Sequence, residues 1–239
     1  MELGEDISAR ALALTIPGRP IRSYPALLST EADAMAWARA GAPEGALVVA
    51  GYQASPRGRA GLEWHMRAGE DLGFSLVLRP RLPCDREGWM YCIAACGVAD
   101  SIGDAAAIEW PDEVLADGAR KGAVSVQAKL GPRTIEWSVI NVLIIDAKPP
   151  RGEVLAKTIA AIEARYRSAS SSVLADYRRH CTTLGRSINT RLIPLGPNAR
   201  EVSGTAVTVL PDGALVLETA SGARVAVRPQ SIGSISGSS

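Results

Sequence analysis

Apolar and polar positions along this chain switch between helical spacing, unbroken apolar runs and short alternations. Residues 29–41 open on two hydroxyls, carry acids in the first turn, continue through alanines and end on glycine, which predicts a helix. Residues 47–52 form a short apolar run that reads as a buried strand, and residues 74–80 form another, stopped by Pro80. Trp89, Cys92, Ile93 and Cys96 recur at helical spacing and predict a core helix over 88–102. Runs 123–129 and 134–145 are rich in β-formers and separated by Gly131-Pro132, the pattern of a hairpin. Val154, Leu155, Ile159 and Ile162 give a further helix, and Val173, Leu174 and Tyr177 another.

Near residues 184–186 the pattern changes. Short strands are predicted over 188–193, 202–210, 214–218 and 223–227, punctuated by turn residues such as Pro211-Asp212-Gly213, which suggests a small barrel. The expected fold class is α/β (α+β): a mixed-sheet domain over 1–184, a short hinge, and a small β domain over 185–239. Residues 234–239 are small and polar and are expected to be a frayed tail.

At 239 residues the chain is long enough for a core without disulfide staples. With 26 Lys and Arg against 25 Asp and Glu it lacks the basic field that drives binding to nucleic acid or membrane surfaces. No apolar run approaches the roughly 20 residues of a membrane span, and the early residues are acidic, so a soluble cytoplasmic protein is expected. Cys84, Cys92, Cys96 and Cys181 are too few and scattered for a disulfide framework and read as buried, inert thiols. No metal constellation forms around His65 or His180, and no bound metal is predicted.

Candidate chemistry concentrates in residues 55–64, between the first two predicted strands. Arg57 and Arg59 bring planar donor forks suited to phosphate or carboxylate oxygens, Gly58 and Gly61 allow close backbone approach, and Trp64 closes the segment. An anion cradle and a solvated basic hairpin loop both fit these residues alone.

Ser29-Thr30, Gln53, the Arg57-Gly58-Arg59, Gly61 and Trp64 loop, Trp110-Pro111-Asp112-Glu113-Val114, Asp117-Gly118 and Ile140-Asn141 follow one another in an order that resembles the biotin protein ligases. Gly204-Thr205-Ala206 and Asp212-Gly213 are similar to that family's SH3-like C-terminal domain. The resemblance implies an enzyme that uses ATP with Mg²⁺ to convert biotin to an acyl adenylate and passes the acyl group to a carrier-protein lysine. No tightly held cofactor is implied.

By the same resemblance, Arg57 and Arg59 hold phosphate and carboxylate, and Arg120 or Lys121 supplies the family's lysine charge beside Gly122. Ser29, Thr30 and Gln53 meet the ureido ring, while Trp64, Asp112 and Asn141 face the adenylate. A homodimer is left open. Family members that repress transcription carry an N-terminal helix-turn-helix domain; the short stretch ahead of the first strand leaves no room for one, so no DNA partner is expected.

Several positions depart from the family pattern. Glu109 stands where the family has lysine, Asp112-Glu113 replaces Asn-Asp, and Pro56, Ala60 and Leu62 replace loop glycine and basic residues. Glu31 replaces asparagine, and the 137–139 segment, with its tryptophan, is bulky enough to fill the nucleotide pocket. Arg67, Arg79 and Lys121 are the candidates for compensating charge. Each lost donor to a developing anion costs on the order of 10² to 10³ in rate. Three readings therefore stand: a biotin ligase, a degenerate homologue that binds biotin, an adenylate or a protein partner, and a lipoyl- or octanoyl-type ligase or transferase. For the residues alone, bland roles also fit: Trp64 and Trp110 as core aromatics, Arg120 and Lys121 as a solvated strand edge, Asn141 as a structural amide, and Asp112 and Glu113 as solvated acids or Mg²⁺ ligands.

Overall fold

The computed structural model describes residues 4–237 and sorts twelve strands into two sheets. The elements run α1 (Ala9–Thr15), β1 (Ile21–Tyr24), α2 (Thr30–Arg39), β2 (Leu47–Ala50), β3 (Leu72–Leu78), α3 (Trp89–Ile102), β4 (Ala106–Glu109), β5 (Glu113–Ala116), β6 (Ala119–Leu130) and β7 (Ile135–Ile144). Then come α4 (Arg151–Arg167), α5 (Ser170–His180), β8 (Ser187–Leu192), β9 (Glu201–Val209), β10 (Leu215–Glu218), β11 (Arg224–Val227) and β12 (Ile232–Gly237). The first sheet has the order β1-β2-β3-β7-β6-β5-β4, and the second β11-β10-β9-β8-β12. In the first sheet only β1 and β2 run parallel.

Strand alternation divides the first sheet into two faces with different tasks. Leu72, Phe74, Leu76, Leu78, Ile140, Val142, Val124 and Val126 pack with α3, α4 and α5 into the main core. Helix α3 is buried from Trp89 to Ala99, and a Cβ at Gly97 would lie 2.5 Å from Ile162 Cα, so glycine there lets α3 and α4 approach closely. The opposite face carries Ser75, Ser125 and Asn141 side by side, since Ser75 and Ser125 both pair with Asn141 across the ladder. Helix α2 covers part of this face, with Ala34 and Ala38 against Val48, Val77, Trp137 and Val139.

The thiols of Cys92, Cys96 and Cys181 are buried, and burial pushes each up, that of Cys96 to about 12. Cys84 is only half-buried.

The expectation of a frayed tail over 234–239 is corrected over its first four residues. Ser234–Gly237 lie in β12, which pairs with β8; Ser238 and Ser239 fall outside the described residues. Main-chain pairing and the burial of Ile232 hold a strand too poor in apolar residues to be recognised by pattern. The 181–186 connection is likewise fastened: Thr183 Oγ1 accepts from the Trp110 N–H at 2.9 Å, and the Gly185 N–H donates to the Ala206 carbonyl at 2.8 Å.

Candidate active site

The Arg-Gly segment spans the gap between β2 and β3 and folds over the polar face of the sheet. Arg57 and Glu63 form an isolated antiparallel bridge, and the Gly58 N–H donates to the Leu62 carbonyl at 2.7 Å, which makes the segment a small closed hairpin. A Cβ on Gly58 would collide with the indole nitrogen of Trp64, so only glycine lets that ring cover the chain. Trp64 itself is buried with Met66, Ala123 and Leu143.

Beneath the hairpin lies a buried polar network. Thr30 donates to Gln53 Oε1 from both its N–H, at 2.8 Å, and its hydroxyl, at 3.0 Å. Ser75 donates to Thr30 Oγ1 at 2.9 Å and lies 2.8 Å from Asn141 Oδ1. The Asn141 amide donates to Glu31 Oε2 at 3.3 Å and to the main-chain carbonyl of Arg57 at 2.9 Å, and the Ser125 hydroxyl lies 3.2 Å from the same Glu31 oxygen. Burial raises the Glu31 carboxyl above its ordinary value, opposed by hydrogen bonds from Ser125, Asn141 and Gln127. Ser29 caps α2, its hydroxyl accepting from the Ala32 N–H at 3.4 Å. The Gln53 side-chain nitrogen, 3% exposed as a residue, meets only the Met66 thioether at 3.8 Å among the described residues. Sulfur is a weak acceptor, so this buried amide retains a donor for a better one.

Beside the network opens a cavity of about 380 Å³, walled by Arg59, Trp64, Trp110, Asp112, Glu113 and Arg120, with Ala123 at its base and Ser234 and Ile235 of β12 on the far side. Its arginines are already paired. Arg59 is 4% exposed, donates from Nε to Asp112 Oδ2 at 3.0 Å and from Nη1 to the Ile232 carbonyl. Arg120 pairs with Glu113 at 2.9 Å. Burial pushes the Asp112 carboxyl up to about 6, with Arg59 pulling the other way. Glu109 also lines the cavity and pairs with Arg186 at 3.1 Å. The Arg57 side chain, by contrast, is 46% exposed and among the described residues reaches only Glu63, at 3.6 Å, and the Gly61 carbonyl, at 3.3 Å.

A β-bulge decides which basic residue of β6 faces the cavity. Val114 pairs with Gly122 but Leu115 pairs with Arg120, so Lys121 is the extra residue. The slip turns Arg120 onto the face of Ala123, and Lys121 instead pairs with Asp146 at 3.0 Å. Gly122 faces α3, where an added Cβ would lie 2.7 Å from Val98.

Of the residues singled out in the sequence, Arg59, Trp64, Asp112 and Arg120 meet in the cavity. Thr30, Gln53 and Asn141 meet in the network, and Ser29, Arg57, Gly58 and Gly61 flank it. Lys121 and Gly122 do not join them. None of the three suggested compensating cations lines the cavity: Arg67 pairs with Glu70, Asp71 and Asp146, and Arg79 donates to the Ala38 and Ala42 carbonyls at the end of α2. Trp137 packs under α2 and not in the cavity. Sequence reasoning passed over Ser125, Ala123 and the β12 residues. The alternation of Ala123, Ser125 and Gln127 with Val124 and Val126 marks the first two as facing away from the core; nothing in the sequence marks Ser234 or Ile235.

Residues 31–185 match the model of the biotin/lipoate A/B protein ligase family. The chain belongs to that family. The matched span contains the hairpin, the Trp-Pro turn and all of the network except Ser29 and Thr30 just ahead of it, whereas β12 lies beyond it. Across the biotin/lipoate ligases, the chain is 26% identical over 255 aligned positions to the bifunctional ligase/repressor BirA of Bacillus subtilis, covering 92% of this chain and 76% of that one. It is 35% identical over 106 positions to a biotin–[acetyl-CoA-carboxylase] ligase of Paracoccus denitrificans, covering 42% and 43% of the two chains. Its fold matches the biotin protein ligase of Aquifex aeolicus in complex with biotin and ATP, with a TM-score of 0.69 at 18% identity over 92% of this chain and 99% of that one.

Proposed function

We propose that the protein is an ATP-dependent ligase that activates biotin, or a similar ring-bearing acid, as an acyl adenylate and transfers the acyl group to a lysine of a carrier protein. The observation that carries this reading is Gln53: a buried amide donor met only by a thioether, set among Thr30, Ser75 and Asn141 beneath a hairpin with an open arginine. A ring carbonyl is a better acceptor for that donor than sulfur, and the exposed guanidinium of Arg57 is suited to the carboxylate of such a ligand. The names of the relatives and of the similar structure, which carry biotin, ATP and ligase, support the same reading.

In the first step a carboxylate oxygen of the acid attacks the α-phosphorus of ATP, and pyrophosphate leaves. In the second, the lysine amine attacks the acyl carbon, loses a proton, and AMP leaves. Charge collects on oxygens in the first step, so fixed cations matter most there. Arg57 is open to serve directly, and Arg120 once Glu113 yields it. Magnesium would come with the nucleotide substrate. When bound with ATP it would supply counter-charge to the phosphates.

A second reading is favoured by one observation: Arg59 and Arg120, the two arginines of the cavity, are each already neutralised by an acid. On that reading the chain binds the acid or its adenylate without turnover. Acid-dependent exchange of labelled pyrophosphate into ATP separates the two. Exchange above the no-enzyme rate with biotin, lipoate or octanoate supports the ligase and names its acid, and no exchange with any of them, at saturation, leaves the binder.

A further inference from the structure

The two arginines of the hairpin, one residue apart, have opposite surroundings. Arg57 is 46% exposed with one long ion pair, whereas Arg59 is 4% exposed and donates to both Asp112 and Ile232. The partners of Arg59 belong to two different parts of the molecule. Asp112 stands in the turn between β4 and β5, and Ile232 opens β12, the strand whose Ser234 and Ile235 wall the cavity.

The Ile232 carbonyl sits at an irregularity. The β12–β8 ladder pairs Ile232 with Leu192 and then Ser234 with Arg191, so the register slips at Gly233. A slip of this kind re-aims main-chain groups out of the ladder, and here the carbonyl at the slip accepts from a guanidinium. Trp110 reinforces the junction, its indole N–H donating to the Gly213 carbonyl at 3.0 Å.

We infer that Arg59 is a positioning residue that latches β12 against the Trp-Pro turn and so closes the cavity, leaving Arg57 as the hairpin cation that meets an anionic ligand. The latch rests on geometry alone; the role given to Arg57 rests on the proposed function. Asp112 keeps Arg59 in place as an internal anion, and Glu113, Arg120, Tyr91 and Tyr177 are the other titratable groups that act on it. A ligand phosphate that took the two tied nitrogens of Arg59 would have to displace Asp112 and give up the bond to Ile232. Arg57 asks for neither.

The test is amide hydrogen exchange on the full chain, paired with calorimetric binding of inorganic pyrophosphate. Arg59→Lys keeps the charge beside Asp112 but lacks the planar fork that spans two acceptors. It is expected to speed exchange of the 232–237 amides by about tenfold or more, leave the 89–102 helix unchanged, and keep pyrophosphate affinity within about threefold. Arg57→Gln is expected to weaken pyrophosphate by about tenfold or more and leave 232–237 exchange unchanged. The double variant Arg59→Met with Asp112→Leu removes both buried charges, and it too should open 232–237. Unchanged 232–237 exchange in both Arg59 variants overturns the latch, as does a loss of pyrophosphate affinity in Arg59→Lys matching that of Arg57→Gln. Absence of pyrophosphate binding to the unaltered protein overturns the role of Arg57 and counts against the ligase, while the exchange data still decide the latch.

Discussion

The side-chain amide of Asn141, in the middle of the large sheet, donates to the main-chain carbonyl of Arg57 at 2.9 Å and so ties the hairpin to the sheet. The same side chain accepts near Ser75 at 2.8 Å and donates to Glu31 at 3.3 Å, which makes it the point where hairpin, helix and sheet are joined.

Asn141→Ala removes all of these at once and leaves buried groups unpaired. Unsatisfied buried groups cost about 1–3 kcal/mol each, so a loss of about 2–3 kcal/mol is expected from denaturant unfolding. Hydrogen exchange of residues 55–64 should also accelerate, because their tether to the sheet is gone.

Glu31→Gln probes the half-buried carboxylate of the network. Its folded value is raised above the unfolded one, so the native state binds more protons between the two, and stability falls as pH rises through that window. Near neutral pH this raised carboxyl therefore costs stability. The variant should melt higher than the parent at pH 7, and the difference should shrink toward pH 4. A lower melting point at pH 7 would contradict this assignment.

Asp112 should titrate in the folded protein with a midpoint of about 6, visible in the carbon-13 shift of its carboxyl group. Above that pH it is ionised and paired with Arg59; below it the pair weakens, and between the unfolded value and about 6 its contribution to stability declines as pH rises. Removing the cation with Arg59→Met should move the midpoint further up, since Arg59 pulls it down more than Arg120 does.

Gly58→Ala sets a methyl group into the Trp64 ring. Overpacking of this kind costs about 1–3 kcal/mol, and the displaced indole should alter the cavity that it walls. Thermal unfolding reads the first effect, and pyrophosphate affinity the second.

Much of the fold was legible where the period was long or the caps were explicit. Ser29 and Gly41 bracketed α2, and Trp89, Cys92, Ile93 and Cys96 marked α3. The strands β1, β4 and β5 were not, because they lack the unbroken buried run that reveals β2, and their place is set by pairing. Residues 234–237 of β12 read as tail because Ser-Ile-Ser-Gly resembles a polar linker; the order of the strand comes from pairing with β8 and from the Arg59 bond to Ile232. Within the site, the ordered motifs located the hairpin and the Trp-Pro turn. They could not say which arginine was open, because that depends on Asp112 and on a carbonyl 173 residues away in sequence. The Arg120 and Lys121 ambiguity had the same root, since a bulge in pairing with β5 leaves no trace in composition.

The most direct test of the central claim is a single-turnover trap. The protein is mixed with Mg-ATP and a stoichiometric amount of biotin, lipoate or octanoate, quenched in acid, and the released small molecules are weighed by mass spectrometry. The account predicts that one of these acids is recovered as its acyl adenylate, with an equal amount of pyrophosphate. Recovery of only unreacted ATP and acid, from folded protein at saturating concentrations of both, would contradict it.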